Sequence, residues 1–355
     1  MDELATVTAP LRDAKAPGIQ YVAVHANGTL LEYHGGFADL AAGRRMLATT
    51  PMMAYSMSKT VTAAAVLQLV EAGRVGLDDP LARYVEAQPY GREITVRHLL
   101  SHTGGVPNPL PLKWVHPAAA HAAFDERAAL SRVLRDHPKL ASAPGAKYVY
   151  SNIGYWLLGG VVEHASGTPF TRYVLERILR PLGVQDELGY TAPGTAAVAS
   201  GYLEKYSFIN AVKGWLVDRE LVGRYSGPWL HIHEHYLNGP AFGGLVGSAD
   251  SFARFLQDQL RDQSSVLGDA ARRLFYEQQR TRDGRAIDMT LGWHVGATGR
   301  QRFYFKEGGG GGFHSLMRLY PERGIGTVVI ANATRVDVHA LLDQVDRRLP
   351  RVALA

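Results

Sequence analysis

The stretch AYSMSKTVTAAAVLQLVEAG, residues 54–73, places two serines and a lysine at the start of an otherwise apolar helix. Positions three apart lie on the same side of a helix, so Ser56 and Lys59 can touch while Ser58 points elsewhere. A serine hydroxyl becomes a strong nucleophile when a base removes its proton, and a buried lysine with a lowered pKa can be that base. Helix capping by serine is the simpler alternative. Because Ser-x-x-Lys occurs by chance about once in a chain of this length, the rest of the sequence must decide.

The length and composition of the chain exclude several classes of protein. With 355 residues and 46% hydrophobic content, it is long enough for one large domain or two lobes. Its net charge is +5, but Lys and Arg are scattered, so we expect no nucleic-acid partner. Cysteine is absent, which excludes disulfides and a thiol nucleophile. No apolar run is long enough for a membrane span, and residues 1–18 do not resemble a secretory signal, so we expect a cytoplasmic protein.

The hydrophobic pattern predicts an antiparallel sheet made from both ends of the chain. Residues 18–39 alternate apolar and polar positions around an Asn27-Gly28 turn, which is typical of a β-hairpin. Three further strands are expected at residues 301–309, 312–320 and 324–333. Helices with cap signals are predicted at residues 59–73, 95–105, 152–167, 168–183, 248–260 and 337–349.

These elements predict an α+β fold with two lobes. Residues 1–50 plus 285–355 are expected to form an α/β lobe around the antiparallel sheet, flanked by helices. Residues 51–284 are expected to form a mostly helical lobe inserted between the strands. We expect the active site in the cleft between the two lobes.

Two later motifs make the Ser56–Lys59 pair more significant. Tyr150-Ser151-Asn152 stands at a predicted helix start, and Lys306-Glu307-Gly308 lies on a predicted strand near the C-terminus. The ordered motifs Ser-x-x-Lys, Tyr-x-Asn and Lys-x-Gly resemble those of class C β-lactamases, the related D,D-peptidases and the family VIII carboxylesterases. The resemblance extends over about residues 15–350 and implies the β-lactamase and penicillin-binding-protein fold. The G-x-S-x-G motif of other serine hydrolases is absent.

The resemblance implies a role for each motif residue. Ser56 would attack the substrate carbonyl and become acylated, with Lys59 taking its proton and Tyr150 acting as a second general acid or base. Asn152 would hold Lys59 and the substrate by hydrogen bonds. The backbone N–H groups of Ser56 and Gly309 would form the oxyanion hole. A cation beside Tyr150 is expected to stabilise the phenolate and so lower the pKa of Tyr150.

The third motif departs from the pattern that the resemblance leads us to expect. β-Lactamases and peptidases usually have Lys-Thr-Gly or Lys-Ser-Gly, whose hydroxyl helps to bind a substrate carboxylate, whereas Glu307 stands between Lys306 and Gly308 here. The anion should weaken carboxylate recognition, although Lys306 can still pair with Glu307 or with a substrate acid. We therefore expect a serine carboxylesterase that cleaves small esters through an acyl-Ser56 intermediate, without a cofactor.

Several alternatives to the ester hydrolase stay open. Within the same fold they are a β-lactamase, a D-amino-acid peptidase or amidase, and an acyltransferase. A scaffold or binding module without activity is the non-enzymatic alternative, although four reactive side chains in register argue against it. Acyl-chain length, stereochemical preference and oligomeric state are not predicted.

Other polar and aromatic residues are weaker candidates. A second Tyr-x-Asn begins at Tyr236, which we expect in a loop as a wall of the substrate pocket. Three histidines at alternating positions could share a face and hold a metal, but a pocket lining without metal is favoured; they are His231, His233 and His235. His102 and His314 are expected to be structural. Five aromatic residues are about equally expected to line the pocket or to lie in the core: Trp114, Trp215, Trp229, Phe242 and Trp293.

Overall fold

A seven-stranded antiparallel sheet built from both ends of the chain is the framework of the molecule. The computed structural model describes residues 3–109, 114–194, 197–206 and 219–349. The strands of this sheet are β1 (Gly18–His25), β2 (Gly28–Asp39), β3 (Arg44–Arg45), β12 (His294–Thr298), β13 (Gln301–Gly310), β14 (Phe313–Tyr320) and β15 (Ile325–Ala331), in the spatial order β12-β13-β14-β15-β1-β2-β3. The α+β fold and the sheet from both termini, predicted from the sequence, are confirmed.

Short strands form three smaller sheets between the two ends of the chain. They are β4 (Met52–Met53), β5 (Val115–Pro117), β6 (Leu188–Gly189), β7 (Gly201–Glu204), β8 (Val222–Ser226), β9 (Trp229–Ile232), β10 (His235–Leu237) and β11 (Val246–Gly247). The pairings are β10-β5, β4-β11-β6 and β7-β9-β8. Their two to five residues are too short for a clear alternating pattern, which is why the sequence did not predict them.

The helices of the described residues fill the middle of the chain and cover the sheet. They are α1 (Glu3–Arg12), α2 (Ser58–Glu71), α3 (Val96–Leu100), α4 (Glu126–Asp136), α5 (Asn152–Ser166), α6 (Phe170–Val174), α7 (Pro240–Gly243), α8 (Ala249–Leu260), α9 (Asp269–Tyr276) and α10 (Val338–Asp346). The predicted helix at 95–105 is shorter than expected, and the one at 168–183 changes to a π-helical turn at Leu175–Leu179. No helix in the described ranges has both the length and the apolarity needed to cross a membrane.

Strand β1 is buried on both faces because helices cover each side of the sheet. Tyr21 and Ala23 face a cluster that includes Leu11 of α1 and Leu342 of α10. Val22 joins the larger core on the opposite face, where α8 packs on β1 and β15. This helix lies within the predicted helical lobe of residues 51–284, yet it packs against the sheet. The division into the two predicted lobes stays a prediction.

Helix α2 is almost entirely buried, and this burial places its first turn in the interior. It packs against α5, α7 and α9. The side chains of Ser58 and Lys59 are fully buried, as is the helix from Thr60 to Leu67. Burying so much apolar surface is the main stabilising contribution of such a helix, since each buried aliphatic side chain contributes about 1.5–3 kcal/mol. The polar residues at its start are therefore held rigidly.

Candidate active site

Ser56 lies in a single 3-10 turn, Tyr55–Met57, directly before α2. Its Oγ is 3.0 Å from Lys59 Nζ, so the contact expected from their spacing is present. Ser58 has a different environment, because its hydroxyl accepts the backbone N–H of Leu245 at 3.0 Å inside the core. The structure thus brings Ser56, and not Ser58, to the lysine.

Three oxygen atoms surround the buried amine of Lys59. Its Nζ donates to Asn152 Oδ1 at 2.7 Å and to the carbonyl of Phe242 at 2.5 Å. The ammonium form can donate to Asn152, Phe242 and Ser56 Oγ, whereas the neutral amine can donate to the first two and accept the Ser56 hydroxyl through its lone pair. Burial, followed by the nearby charge of Lys306, lowers the pKa of Lys59 well below its ordinary value. The lowered pKa favours the neutral form of Lys59, and the hydrogen bond places this amine next to Ser56 Oγ.

Tyr150 reaches Ser56 from the start of helix α5. Its hydroxyl lies 2.7 Å from Ser56 Oγ. Ser151 caps the helix by accepting the N–H of Gly154 at 2.9 Å, and this fixes the chain on either side. The expectation of a lowered pKa for Tyr150 is wrong, because burial raises it above its ordinary value. Tyr150 is therefore a neutral proton donor in the resting site.

Lys306 lies behind Tyr150 and is fully buried on β13. Its Nζ is 5.4 Å from the Tyr150 ring centroid and 5.7 Å from that of Tyr155. It has no hydrogen-bond partner among the described residues, and burial lowers its pKa to about 7. The lysine does not pair with Glu307, which the alternation of the strand places on the other face.

Strand β13 passes so close to the Ser56 turn that only glycine fits at one position. A Cβ on Gly308 would stand 2.0 Å from the carbonyl oxygen of Ala54 and 3.0 Å from the backbone nitrogen of Ser56. The hydroxyl of Ser315, on β14, lies 3.1 Å from the Ala54 carbonyl and 3.0 Å from the Gly308 carbonyl. This contact brings the backbone that follows Gly308 beside the serine, and both Ser56 and Gly309 line the same cavity.

The cavity in front of Ser56 is largely apolar. Its volume is about 120 Å³. The described residues that line it are Tyr55, Ser56, Val115, Asn152, Leu221, Ile232, His235, Leu237, Phe242, Gly243, Gly309, Gly310 and Gly311. None carries a carboxylate, an ammonium or a guanidinium, and burial lowers the pKa of His235, which keeps that imidazole neutral.

Three of the residues expected at the substrate lie elsewhere. Tyr236 is on strand β10 rather than in a loop, and it faces away because its neighbours His235 and Leu237 face the cavity. The Tyr236 hydroxyl donates to Glu234 at 3.0 Å and lines a second cavity. Trp229 begins β9 and packs against the cluster under the terminal helices. Lys306 is buried behind Tyr150 and does not line the cavity.

The other aromatic candidates divide between the cavity and the core. Phe242 lines the cavity, whereas Trp114 contacts the Phe242 ring from behind at 5.9 Å between centroids. Trp293 is completely buried in the core. Trp215 lies outside the described residues.

Glu307 forms hydrogen bonds with two histidines on the face of β13 opposite Lys306. Its carboxylate is 2.7 Å from His314 Nε2 and 3.2 Å from His339 Nε2. These hydrogen bonds hold the pKa of Glu307 well below its ordinary range. The carboxylate is thus an anion at neutral pH where the resemblance leads us to expect a hydroxyl, and His314 has a partner that the sequence did not indicate.

The histidine triplet does not converge on one point. His235 forms a hydrogen bond with the Tyr55 hydroxyl. The rings of His231 and His233 contact each other edge to face, with their centroids 4.9 Å apart. Within the described residues, no group of three or more His, Asp or Glu side chains is arranged to hold a metal ion. A metal role for the triplet therefore has no support in this geometry.

Two residues beside the site have backbone conformations that non-glycine residues rarely adopt. In the described residues, positive φ outside glycine occurs only at Tyr55, with φ +47°, and His102, with φ +56°. His102 lies against Tyr150 with ring centroids 4.4 Å apart, and its Nδ1 accepts the N–H of Ser151 at 3.1 Å. Sequence reasoning missed Tyr55, although it directly precedes Ser56. Strained backbone of this kind is concentrated at functional sites.

Comparison with known proteins identifies the family that this fold and site define. The Beta-lactamase family profile matches residues 4–348, nearly the whole chain. The chain therefore belongs to the Beta-lactamase family and is a serine hydrolase of the β-lactamase and penicillin-binding-protein fold.

Two bacterial relatives of the chain are a D-alanyl-D-alanine peptidase and a penicillin-binding protein. The chain is 27% identical over 333 residues to the D-alanyl-D-alanine-carboxypeptidase/endopeptidase AmpH of Escherichia coli (strain K12), a match over 89% of this chain and 79% of that protein. It is 25% identical over 295 residues to Penicillin-binding protein 4* of Bacillus subtilis (strain 168), covering 82% of this chain. The matched part is 63% of that relative, so the chain spans less than two thirds of its length.

A solved structure supports the fold over the whole chain. The D-amino acid amidase from Ochrobactrum anthropi SV3, complexed with D-phenylalanine, superposes with a TM-score of 0.80 over 98% of this chain and 99% of the amidase. At 20% sequence identity, this likeness concerns the fold alone.

Proposed function

We propose that the protein hydrolyses small, uncharged carboxylic esters through an acyl-Ser56 intermediate, as a family VIII-type carboxylesterase does. The observation that carries the proposal is the cavity beside Ser56, whose described lining is apolar or neutral. A charged acyl group would lose its hydration there without gaining an ionic partner. A short aliphatic or aromatic acyl group would instead be bound by apolar contacts.

In the proposed acylation step, neutral Lys59 accepts the Ser56 proton while Oγ forms a bond with the ester carbonyl carbon. The negative charge that develops on the carbonyl oxygen is stabilised by the backbone N–H groups of Ser56 and Gly309. When the C–O bond to the alcohol breaks, Tyr150 donates its proton to the leaving oxygen and regains one from Lys59. Asn152 keeps Lys59 oriented through the 2.7 Å hydrogen bond.

Deacylation follows the same path with water as the nucleophile. Water attacks the acyl carbon, and its proton passes to the neutral Lys59–Tyr150 pair. The bond between Ser56 Oγ and the acyl carbon then breaks, and the proton returns to Ser56. The acid is released and the resting site is restored.

Glu307 supports the choice of esters over β-lactams. Its carboxylate is held by His314 and His339 outside the described cavity lining, so it offers no donor to a substrate carboxylate and can repel it only from a distance. Lys306 is buried behind Tyr150 and does not line the cavity, so it does not replace the missing donor.

A D-amino-acid peptidase or amidase is the second candidate. It is favoured by AmpH of Escherichia coli, which is a D-alanyl-D-alanine-carboxypeptidase/endopeptidase. Against it, the described cavity lining has no acidic side chain to bind a substrate ammonium group. The cytoplasmic location expected from the sequence stays a prediction.

Comparison of four substrates tests the proposal: p-nitrophenyl butyrate, a chromogenic cephalosporin, a D-alanyl-D-alanine peptide and D-phenylalanine amide. We expect kcat/KM for the ester to exceed the other three values by about 100-fold or more, since the cavity favours an uncharged acyl group. Strong cephalosporin or D-alanyl peptide turnover with negligible ester cleavage would refute the esterase.

Two serine variants separate the nucleophile from its neighbour. Ser56→Ala should lose at least about 10³-fold in ester turnover, and a fluorophosphonate should no longer label the protein. Ser58→Ala, which removes only the core hydrogen bond with Leu245, should still be labelled. Labelling that persists in Ser56→Ala would show that the nucleophile is a different residue.

A further inference from the structure

Tyr55 has a backbone conformation that its surroundings must impose. Its φ of +47° lies in the left-handed region, which a bulky side chain rarely occupies and which costs about 1–3 kcal/mol. Tyr55 directly precedes Ser56, so this conformation determines the direction in which the Ser56 backbone N–H points. A strained residue at this position implies contacts that hold it in place.

The Tyr55 side chain provides such contacts by crossing to strand β13. A Cβ on Gly310 would lie 2.2 Å from Tyr55 Cε1, so the ring packs directly on the glycine backbone. The Tyr55 hydroxyl is 3.1 Å from the carbonyl oxygen of Gly311. One ring therefore joins the turn that carries Ser56 to the glycines that immediately follow Gly309.

His235 holds the other side of the Tyr55 hydroxyl. Its Nε2 is 3.0 Å from the hydroxyl oxygen, and its Nδ1 is 2.9 Å from the carbonyl oxygen of His233. Because that carbonyl can only accept, Nδ1 carries the hydrogen of the neutral ring and Nε2 is an acceptor. The single hydrogen of Tyr55 can therefore be donated to His235 or to Gly311.

The backbone around His235 is itself fixed. His235 pairs with Pro117 in the β10–β5 ladder, and its side chain is only 3% exposed. The imidazole thus connects strand β10 rigidly to the Tyr55 side chain. Its hydrogen bonds go to Tyr55 and His233, so its effect on the oxyanion hole must act through Tyr55, although the imidazole also lines the cavity.

We propose that Tyr55 and His235 are positioning residues for the oxyanion hole: they set the separation between the Ser56 N–H and the Gly309 N–H. The proposal rests on the acyl-Ser56 function proposed above. Donors that are fixed before the reaction stabilise the tetrahedral state more than the ground state. Loss of the Tyr55 hydroxyl should therefore affect turnover more than substrate binding.

Tyr55→Phe tests the proposal because it keeps the ring on Gly310 and removes only the hydroxyl. For p-nitrophenyl butyrate we expect kcat to fall about 10-fold or more, with KM within about twofold of the parent value. Affinity for phenylboronic acid, which forms a tetrahedral adduct with the serine, should fall by a similar factor. Unchanged kcat and boronate affinity would overturn the proposal, and so would an equal loss of substrate binding.

Tyr90→Phe is the matched control. The Tyr90 hydroxyl also donates to a backbone carbonyl, that of His137 at 2.9 Å, but it is not part of the cavity lining. This variant should lose a similar amount of stability without a change in kcat or boronate affinity. If Tyr90→Phe reduced both by the same factor as Tyr55→Phe, the effect would be one of general stability and the proposal would fail.

His235 offers a second pair of variants if Tyr55→Phe does not fold. His235→Gln keeps a polar group near the Tyr55 hydroxyl, whereas His235→Leu removes it. We expect the loss in kcat and boronate affinity to be greater for His235→Leu than for His235→Gln, and equal losses would contradict the proposal. Fluorophosphonate labelling of Ser56 in the parent protein distinguishes this failure from that of the proposed function, which fails if Ser56 is not labelled.

Discussion

Lys306 Nζ lies 5.4 Å from the ring centroid of Tyr150 and has no hydrogen-bond partner among the described residues. A buried ammonium without a partner is unfavourable, and burial accordingly lowers the pKa of Lys306 to about 7. The aromatic face of Tyr150 offsets only part of this cost. The relationship therefore links a residue of the third motif to the stability of the protein.

The first prediction is that Lys306→Met stabilises the fold at neutral pH. The pKa of Lys306 is about 7 in the folded protein, below its ordinary 10.5, so the unfolded chain binds more protons between these values and parental stability rises with pH across this window. At pH 7 the variant should gain about 1–4 kcal/mol in unfolding free energy, and the gain should shrink towards pH 10. Urea denaturation at both pH values measures the difference.

The exposed Lys147 provides the control for this change. Lys147→Met should shift the unfolding free energy by no more than about 0.5 kcal/mol at either pH, because an exposed lysine keeps its hydration. If Lys306→Met were less stable than the parent at pH 7, the buried lysine would have a stabilising partner, contrary to this geometry.

The second prediction concerns Tyr150, whose hydroxyl is 2.7 Å from Ser56 Oγ. Tyr150→Phe should reduce kcat for ester hydrolysis by about 10²–10⁴-fold, because the leaving alcohol loses its proton donor. A substrate with a better leaving group needs less protonation, so the loss should be smaller for a p-nitrophenyl ester than for an ethyl ester. Steady-state kinetics with both esters measures this, and equal losses would argue against a donor role.

The third prediction is a shift in the pH profile of Asn152→Leu. Lys59 must be neutral to accept the Ser56 proton, so kcat/KM should rise as pH rises through the lowered pKa of Lys59. The Asn152 oxygen, 2.7 Å from Nζ, stabilises the protonated amine more than the neutral one. Its loss should therefore lower the pKa of Lys59 further and move the acidic limb of the profile to lower pH. If the acidic limb of the Asn152→Leu profile moved to higher pH instead, Asn152 would not stabilise the protonated form of Lys59.

The fourth prediction tests the close approach at Gly308. Gly308→Ala should destabilise the protein by about 1–3 kcal/mol or more and reduce ester turnover, since its Cβ would lie 2.0 Å from the Ala54 carbonyl. Gly28→Ala is the matched control, because its nearest neighbour, His25 Nε2, would be 3.8 Å away. Thermal unfolding and ester kinetics distinguish them; similar behaviour of the two variants would mean that β13 can move away from Ser56.

The fifth prediction concerns specificity. Glu307→Thr restores a hydroxyl in the third motif and removes the negative charge. The ratio of cephalosporin turnover to ester turnover should therefore rise by about 10-fold, because the cephalosporin carboxylate is no longer repelled by Glu307. The comparison of kcat/KM for the two substrates measures it. An unchanged ratio would show that Glu307 does not influence substrate choice.

Much of the framework could be predicted from the sequence because the strands of the large sheet alternate clearly. The hairpin around Asn27-Gly28 and the strands β13, β14 and β15 lie where their patterns indicated. The small sheets could not be predicted, since two to five residues carry too little periodicity. The sequence therefore predicts a loop at Tyr236, whereas the structure has a strand there, paired with β5 in a ladder that no local signal indicates.

The predicted cluster of Ser56, Lys59, Tyr150 and Asn152 is present as hydrogen-bonded contacts, and their proposed roles stay predictions. The cavity wall was much less predictable. Val115, Leu221 and Ile232 are ordinary apolar residues on short strands or turns, and only tertiary packing brings them to Ser56. The raised pKa of Tyr150 could not be predicted either, because it depends on complete burial, which outweighs the hydrogen bond with Ser56.

The crossing of β13 over the Ser56 turn affects when the protein can become active during its synthesis. Ser315 and Ala54, whose contact closes the site, are 261 positions apart in the chain. Ribosomes add about 5–20 residues per second, so roughly 13–50 s pass between the appearance of the two segments. Throughout this interval β1 has no β15 beside it, and the nascent chain carries Ser56 without the strand that holds Gly309, its proposed partner in the oxyanion hole. The chemistry proposed for Ser56 can therefore begin only after β13, β14 and β15 have been synthesised.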